Sequence, residues 1–384
     1  MKKRFLRDIA EIQTGPFGSQ LHKEDYVDVG TPIVTVEHLG SRVFSEQNLP
    51  MVSDTDKRRL SKYILKKGDI VFSRVGSVDR CSFVDKKHDG WMFSGRCLRV
   101  RPSEKVDSMF LYYFFCLNTT KEFVRSIAVG ATMPSINTKL LGEVEVVCPE
   151  IEEQRKIADI LSKIDDKIEE NQKINENLEQ QALALFSNYY EHSNKEVGFT
   201  DLIQVLGGGT PKTGERTYWN GNIPFFTPKD IDCPYTLATE KTITNDGLSH
   251  CNSRLYPVNT VFVTARGTVG KVGIAGVPMA MNQSCYALIG KGIHQLLAYF
   301  YTLKVVDRLK HKASGAVFDA IITKDFETEQ VVKLFSNDAD TFIKIAEPMY
   351  KFILNNSIEN QRLIALRNSL LPKLMSGELD VSGI

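Results

Sequence analysis

Two rhythms of apolar residues run through the 384-residue chain, and the places where one gives way to the other divide it. Short runs bounded by glycine and proline, Ile33-Val34-Thr35-Val36 and Asp69-Ile70-Val71-Phe72, have the β-branched and aromatic content of strands. Met109 to Ser126 is aromatic and apolar at helical spacing, and His294 to His311 is its counterpart. Both stripes read as packed core rather than as ligand sites. Pro149 then punctuates the chain, and nothing from Ile151 to about Tyr190 breaks a helix. Roughly 40 residues at 1.5 Å each predict a rod of about 60 Å. Its seam, at spacings of three and four, is Ile157, Leu161, Ile164, Ile168, Asn171, Asn175, Leu178, Ala182, Leu185 and Tyr189. Two central asparagines in such a seam fix register at some cost in stability. A second rod reads Phe342, Ile345, Met349, Phe352, Asn356, Glu359, Leu363, Leu366 and Leu370, with Pro348 inside it marking its start or a kink. Two rods in one chain most simply pair with each other, the globular parts lying at opposite ends. The alternative is that each rod packs on its own globular part.

The pattern also repeats. Pro32-Ile33-Val34-Thr35 matches Pro224-Phe225-Phe226-Thr227 at an offset of 192, and Asp8-Ile9 matches Asp201-Leu202 at 193. Ile70-Val71-Phe72 matches Thr260-Val261-Phe262 at 190, and Gly76-Ser77-Val78 with Arg80 matches Gly267-Thr268-Val269 with Lys271 at 191. Gly130-Ala131 with Ile136 matches Gly315-Ala316 with Ile321 at 185, and Glu170-Asn171-Gln172-Lys173 matches Glu359-Asn360-Gln361-Arg362 at 189. Six matches in one order near one period describe a duplicated unit, a mixed globular part followed by a long helix. The boundaries this predicts are 1–149, 150–192, 193–336 and 337–384.

Charge sharpens the division. The 48 Lys+Arg against 47 Asp+Glu sum to +1, yet residues 1–149 hold 23 basic and 18 acidic side chains and residues 193–335 hold 15 and 12. Residues 150–192 hold 5 and 11, and 336–384 hold 5 and 6, so two mildly basic blocks alternate with an acidic and a near-neutral one. The seven cysteines are odd in number and form no Cys-x-x-Cys pair, which points to neither a zinc site nor a disulfide framework and suits a reducing cytoplasm. The amino terminus starts like a signal peptide but reaches Arg7 and Asp8 with no apolar core. Val272 to Gly290 is uncharged, but its glycines, Pro278 and Asn282 make it a strand–turn–strand rather than a membrane span.

The motifs of catalysis are missing. No Pro-Pro pair exists for an adenine-methylase loop, Gly267-Thr268-Val269-Gly270-Lys271 fails the phosphate-loop spacing, and Gly-x-Ser-x-Gly and His-Glu-x-x-His are absent. Binding chemistry is instead placed twice. Thr14-Gly15-Pro16-Phe17-Gly18-Ser19, with Lys23 beyond, and Gly207-Gly208-Gly209-Thr210-Pro211-Lys212-Thr213, with Arg216 beyond, are loops after the opening segment of each unit. Glycine admits a close backbone approach, and Ser, Thr and Lys reach phosphate oxygens. Ser73-Arg74-Val75-Gly76 to Arg80, and Thr264-Ala265-Arg266-Gly267-Thr268 to Lys271, follow strands; arginine there can bridge a guanine edge or hold a phosphate. Arg96, Lys229, Asn282 and Gln283 complete the candidate DNA contacts, with Trp219 as a stacking or wedge residue or a core tryptophan.

These residues resemble the specificity subunit of type I restriction–modification systems. The features that carry the likeness are the Asp8-Ile9 and Asp201-Leu202 openings, Tyr218-Trp219-Asn220-Gly221-Asn222-Ile223-Pro224, and Gly68-Asp69-Ile70-Val71-Phe72-Ser73-Arg74. Asn282-Gln283-Ser284-Cys285-Tyr286 belongs with them. Most specific are Cys148-Pro149-Glu150-Ile151-Glu152-Glu153-Gln154-Arg155-Lys156-Ile157-Ala158 and the closing Leu370-Leu371-Pro372-Lys373-Leu374-Met375-Ser376-Gly377-Glu378-Leu379. Two departures stand out. The second unit lacks a Pro-x-x-x-Glu-Gln entry to its rod, and Phe93-Ser94-Gly95-Arg96 stands where the second unit has Asn282-Gln283.

The resemblance implies an α+β fold: two similar mixed α/β target-recognition domains separated by two long antiparallel helices forming a coiled coil, a pseudo-twofold internal repeat. It implies a non-catalytic, cytoplasmic reader of double-stranded DNA, each domain gripping one half of a bipartite gapped site. The helices would space the halves and dock two methyltransferase subunits, which carry S-adenosylmethionine; this chain itself would bind no cofactor and no metal. Restriction–translocase subunits would complete the complex. The rival classes are a self-contained methylase, a protein-only coiled-coil scaffold, and a silent or decoy copy of the subunit.

Overall fold

The computed structural model describes residues 2–16, 18, 20–232, 234–312, 320–381 and 383. The candidates Phe17 and Ser19, the side chain of Lys23 and the Gly315-Ala316 match lie outside the described residues. The chain divides into two compact units, Met1–Lys167 with Leu363–Ile384, and Ile168–Arg362.

In the first unit an antiparallel sheet has the order Ala10–Thr14, Cys97–Pro102, Ile70–Ser73, Cys81–Phe83. Ile70–Ser73 is buried throughout, which its continuous apolar run requires. The strand expected at Ile33–Val36 is Thr31–Val34, in a second small sheet, with a 3-10 turn at Val36–His38. The aromatic helix Ser108–Cys116 seats Phe110, Leu111, Tyr113 and Phe115 on the first sheet, with Phe72 and Phe115 edge to face at 4.6 Å. Truncating one such buried ring costs about 3–5 kcal/mol. The helix expected over Met109–Ser126 breaks at Leu117, whose ψ of 135° is extended, and resumes as Asn118–Ser126. The following Asn118-Thr119-Thr120 favours a helix start over a helix interior.

The second unit repeats the plan. Its larger sheet orders Ile203–Gly207, Cys285–Gly290, Val261–Thr264, Val272–Ala275 and Tyr235–Thr236, so its first four strands match the first unit's sheet in sequence order and direction. The counterpart helix, Gln295–Lys312, is unbroken. Val272 to Gly290 is strand and turn as expected, with a short third strand, Ala280–Met281, between the two, and among the described residues no helix is long and apolar enough to cross a membrane.

The long helices are Ile151–His192 and Ser336–Ser376. In the second unit they run antiparallel: Asn171 Nδ2 donates to Asn360 Oδ1 at 2.9 Å, and Asn356 Nδ2 to Asn175 Oδ1 at 2.8 Å. In the first unit Arg367 Nη1 donates to Asp165 Oδ1 at 2.6 Å, and Tyr113 donates from its hydroxyl to Asp165 Oδ2 at 2.7 Å. Burial pushes the Tyr113 hydroxyl well above its ordinary range, with the Asp165 charge adding to it. The helices also enter the globular cores: Ile157, Leu161, Leu371 and Leu374 in the first unit, Ala182, Phe186, Phe342 and Ala346 in the second. Pairing and packing on a globular part therefore occur together.

The first seam is inward or half-buried at Ile164, Ile168, Leu178 and Leu185 as well, although Phe186, stacked on Phe300 at 5.0 Å, is buried more deeply than Leu185. The second seam needs correction. Ile345, Phe352 and Leu366 are 41%, 50% and 47% exposed, and one residue later Ala346 and Ile353 are buried and Arg367 is half-buried, as Asn360 is buried after the exposed Glu359. Phe342 and Asn356 of the expected seam are buried, but the stripe continues through the polar Asn360 and Arg367, so the apolar positions Phe352 and Leu366 land on the outer face. Leu363 and Leu370 are half-buried, and Glu359 is exposed yet accepts from Asn171 at 2.7 Å. Pro348 neither starts nor ends the helix. It sits on an exposed turn, where the hydrogen bond it cannot make leaves the Lys344 carbonyl to water.

Candidate nucleic-acid interface

Strand register gathers three loops at one edge of the sheet in each unit. In the first, Thr14 pairs with Leu98 and Ser73 with Cys97, so the loops after Thr14 and Ser73 start where the loop before Cys97 ends. Backbone bonds close the group: Gly15 N donates to Cys97 O at 3.2 Å, and Arg74 N to Arg96 O at 2.8 Å. In the second unit Gly207 pairs with Tyr286 and Thr264 with Cys285, and Gly209 N donates to Met281 O at 3.2 Å. Ala265 N donates to Ser284 O at 2.8 Å. A Cβ on Gly15 would lie 2.1 Å from Ser94 O, and one on Gly208 2.0 Å from Asn282 O. Both glycines are thus required by the approach of one loop to another. The same edge is built twice from different side chains.

In the first unit the candidates divide between support and surface. Ser73 is 1% exposed and its hydroxyl donates to Val75 O at 2.7 Å, so it shapes the turn and cannot touch a ligand. Gly15 is buried and Thr14 half-buried on its strand. Arg74, half-buried, donates from Nη1 to Gly95 O at 3.1 Å and ties two loops together. Arg80 is exposed, with its guanidinium donating to Leu39 O. Arg96 is exposed and its side chain has no hydrogen bond or ion pair among the described residues. It lines a cleft of about 590 Å³ with Pro16, Gly18, Thr35, His38 and Ser94.

In the second unit the Thr210 hydroxyl donates to Gln283 Oε1, joining two loops through their side chains. Lys212, Thr213, Arg216, Lys229, Arg266 and Gln283 are exposed. Arg266 is held at its backbone by a bridge to Ala320, and the exposed Thr268 donates to Pro228 O at 3.2 Å. Asn282 Oδ1 accepts from Ser284 N at 3.0 Å and holds the turn. Trp219 is not a free wedge. Its Nε1 donates to Lys212 O at 3.2 Å and its ring meets Phe225 edge to face at 5.5 Å, which makes it the half-buried floor under the Lys212 turn. Lys271 is exposed but lines a different cleft, of about 560 Å³, beside helix Gln295–Lys312.

Six further cations, at 57, 58, 59, 62, 66 and 67, lie outside the sequence candidates, and their segment joins the first loop through Gln20: Tyr63 donates from its hydroxyl to Gln20 Oε1 at 2.6 Å. Six positive side chains within eleven residues were the available signal.

Comparison with known proteins agrees with this duplicated edge. The family model described as the type I restriction modification DNA specificity domain matches residues 1–180 and again 193–368. The chain is 25% identical to the type I restriction enzyme MjaIX specificity subunit of Methanocaldococcus jannaschii, across 98% of this chain and 93% of that one. It is 24% identical to the HindI specificity subunit of Haemophilus influenzae, across 83% and 88%. Among solved structures, the type I restriction–modification S subunit of M. genitalium superposes with a TM-score of 0.60 at 17% identity, covering 97% of this chain and 95% of that one, and so shares its fold. The chain belongs to the type I restriction–modification specificity subunits and carries their DNA specificity domain twice.

Proposed function

We propose that each unit reads one half of a bipartite, gapped DNA site through its three-loop edge, and that the paired long helices set the gap. The observation that carries this reading is the recurrence of the edge with unlike side chains. Arg96 and the Ser94-Gly95 backbone occupy it in the first unit, and Thr210, Asn282 and Gln283 in the second. Same scaffold with different donors and acceptors is what two different half-sites require. Exposed cations around both edges supply phosphate contacts that fix orientation. The chain acts as a cytoplasmic, non-catalytic subunit, and S-adenosylmethionine is bound by its methyltransferase partners. Ile345 and Phe352, exposed seven residues apart on the second long helix, support docking of such a partner, since apolar side chains of this size on an outer helix face are suited to burial against another protein. Two methyltransferase subunits and, for cleavage, restriction–translocase subunits complete the assembly.

The test is to express the chain with its cognate methyltransferase and map modified adenines across the host genome. A single gapped motif that disappears when this chain is omitted supports the reading. Modification unchanged by its omission refutes it.

A further inference from the structure

The two units are built on one plan but are not equally charged beside their reading edges. Ser53 caps a helical turn by accepting from Asp56 N at 3.1 Å, and Thr244 does the same for Gly247 N at 3.1 Å. Leu65 N donates to Trp91 O at 2.8 Å, and Tyr256 N to Met279 O at 2.9 Å. Gly68 and Asn259 both adopt positive φ and donate to Val84 O and Ala275 O. Residues 53–68 and 244–259 are therefore the same structural segment, 191 positions apart. The first holds Lys57, Arg58, Arg59, Lys62, Lys66 and Lys67 against Asp54 and Asp56; the second holds Arg254 against Asp246, with His250.

The cations of the first segment are not there to satisfy neighbours. Arg59 alone is committed to carboxylates, 2.7 Å from Asp56 and 3.8 Å from Asp25. Among the described residues the Arg58 side chain donates only to the Asp54 carbonyl, and the Lys62 ammonium lies 4.8 Å over the Tyr63 ring. Lys57, Lys66 and Lys67 make no side-chain ion pair among the described residues, and Arg58, Lys62, Lys66 and Lys67 are exposed. Crowding like charges costs stability unless a polyanion neutralises them. Within the segment Arg59 and Tyr63 hold Gln20 of the loop that follows Thr14, and Lys66 and Lys67 lie at the opposite end of strand Ile70–Ser73 from Ser73. A four-residue strand covers about 10–13 Å, a span in which duplex DNA presents several phosphates.

We propose that this cationic strip carries the phosphate backbone of duplex DNA flanking the first unit's half-site, so that the two halves of the site are gripped with unequal salt sensitivity. The inference rests on the reading of the chain as a DNA-specificity subunit. Contacts of this kind add affinity without sequence information, so the strip changes how tightly the site is held and not which bases are read.

The test compares the full chain, in complex with its methyltransferase, with the variant Arg58→Ser/Lys62→Ser/Lys66→Ser/Lys67→Ser. Binding to a mixed-sequence duplex is followed by fluorescence anisotropy between about 50 and 200 mM salt. At about 0.9 per phosphate contact, the slope of log K against log salt should flatten by roughly 3 to 4 if all four cations engage the backbone. The methylated motif should stay unchanged and the melting temperature should not fall, and Lys62→Arg/Lys66→Arg/Lys67→Arg should keep the steep slope. An unchanged slope in the serine variant overturns the proposal, and loss of methyltransferase association with an unchanged slope would assign the strip to a protein partner instead. If the unsubstituted complex shows no salt-dependent binding at all, the DNA-reading function fails and the strip fails with it.

Discussion

The asparagine layer between the long helices of the second unit makes a quantitative prediction. Asn171, 1% exposed, donates its two amide protons to Glu359 and Asn360, and Asn360, 8% exposed, donates onward to Ile168 O at 3.3 Å. Asn171→Ala leaves Asn360 Oδ1 without its donor in a largely buried site. An orphaned buried acceptor costs about 1–3 kcal/mol. In a unit of this size each kcal/mol lowers the melting temperature by roughly 2–4 °C, so the variant should melt about 2–12 °C lower. Asn171→Leu with Asn360→Leu removes both polar partners and should restore the melting temperature or exceed it, because matched apolar pairs need no hydrogen bonds. Thermal melts followed by circular dichroism give both numbers, and a cycle with the single leucine variants gives the coupling, expected at about 0.5–3 kcal/mol. If the alanine and double-leucine variants melt alike, the asparagines are not the buried, mutually satisfied layer described. The gain in stability should come with weaker control of helix register, which a polar pair enforces and an apolar one does not.

Two further outcomes are expected. Arg367→Ala leaves the Asp165 carboxylate buried beside Tyr113 without its cation and should cost about 3–5 kcal/mol, read as a fall in melting temperature; a variant that melts like the parent would contradict the ion pair. Glu179 has its carboxyl pushed above the ordinary range, chiefly by burial, which the hydrogen bond from Tyr299 at 3.2 Å only partly opposes. An acid with a raised folded pKa favours folding when protonated, and that contribution is lost as pH rises through the folded pKa. Glu179→Gln should therefore stabilise the chain at pH 7 and lose its advantage toward pH 4; a pH-independent difference would refute the burial argument.

The duplication was legible because backbone requirements leave sequence marks. Glycines that must approach another loop and strand starts recur at nearly constant offsets whatever the side chains between them do, although the strands start at Ile70 and Val261, one residue away from the sequence match of Ile70 with Thr260. Burial of a polar residue at a strand end was not legible. Ser73 and Arg74 are neighbours, and whether either faces a ligand depends on how the turn closes on Val75 and Gly95. Trp219 shows the same limit, since its Nε1 is claimed by a carbonyl seven residues earlier. The second helix seam held at Phe342 and Asn356 but misled elsewhere because the partner-facing stripe continues through Asn360 and Arg367, and a rule that follows apolar residues selects Phe352 and Leu366 on the outer face. The cationic strip escaped because charge summed over 149 residues dilutes six cations of one short segment, which the fold joins to the first loop through Gln20.

The claim that one chain holds two independent readers is tested most directly by mapping modified adenines in cells expressing the methyltransferase with Arg96→Ala or with Gln283→Ala. Arg96 lies at the first edge and Gln283 at the second. The account predicts that each substitution relaxes or abolishes recognition of a different half of the gapped motif, with the other half and the gap length unchanged. Loss of both halves by either substitution, or relaxation of the same half by both, would contradict it.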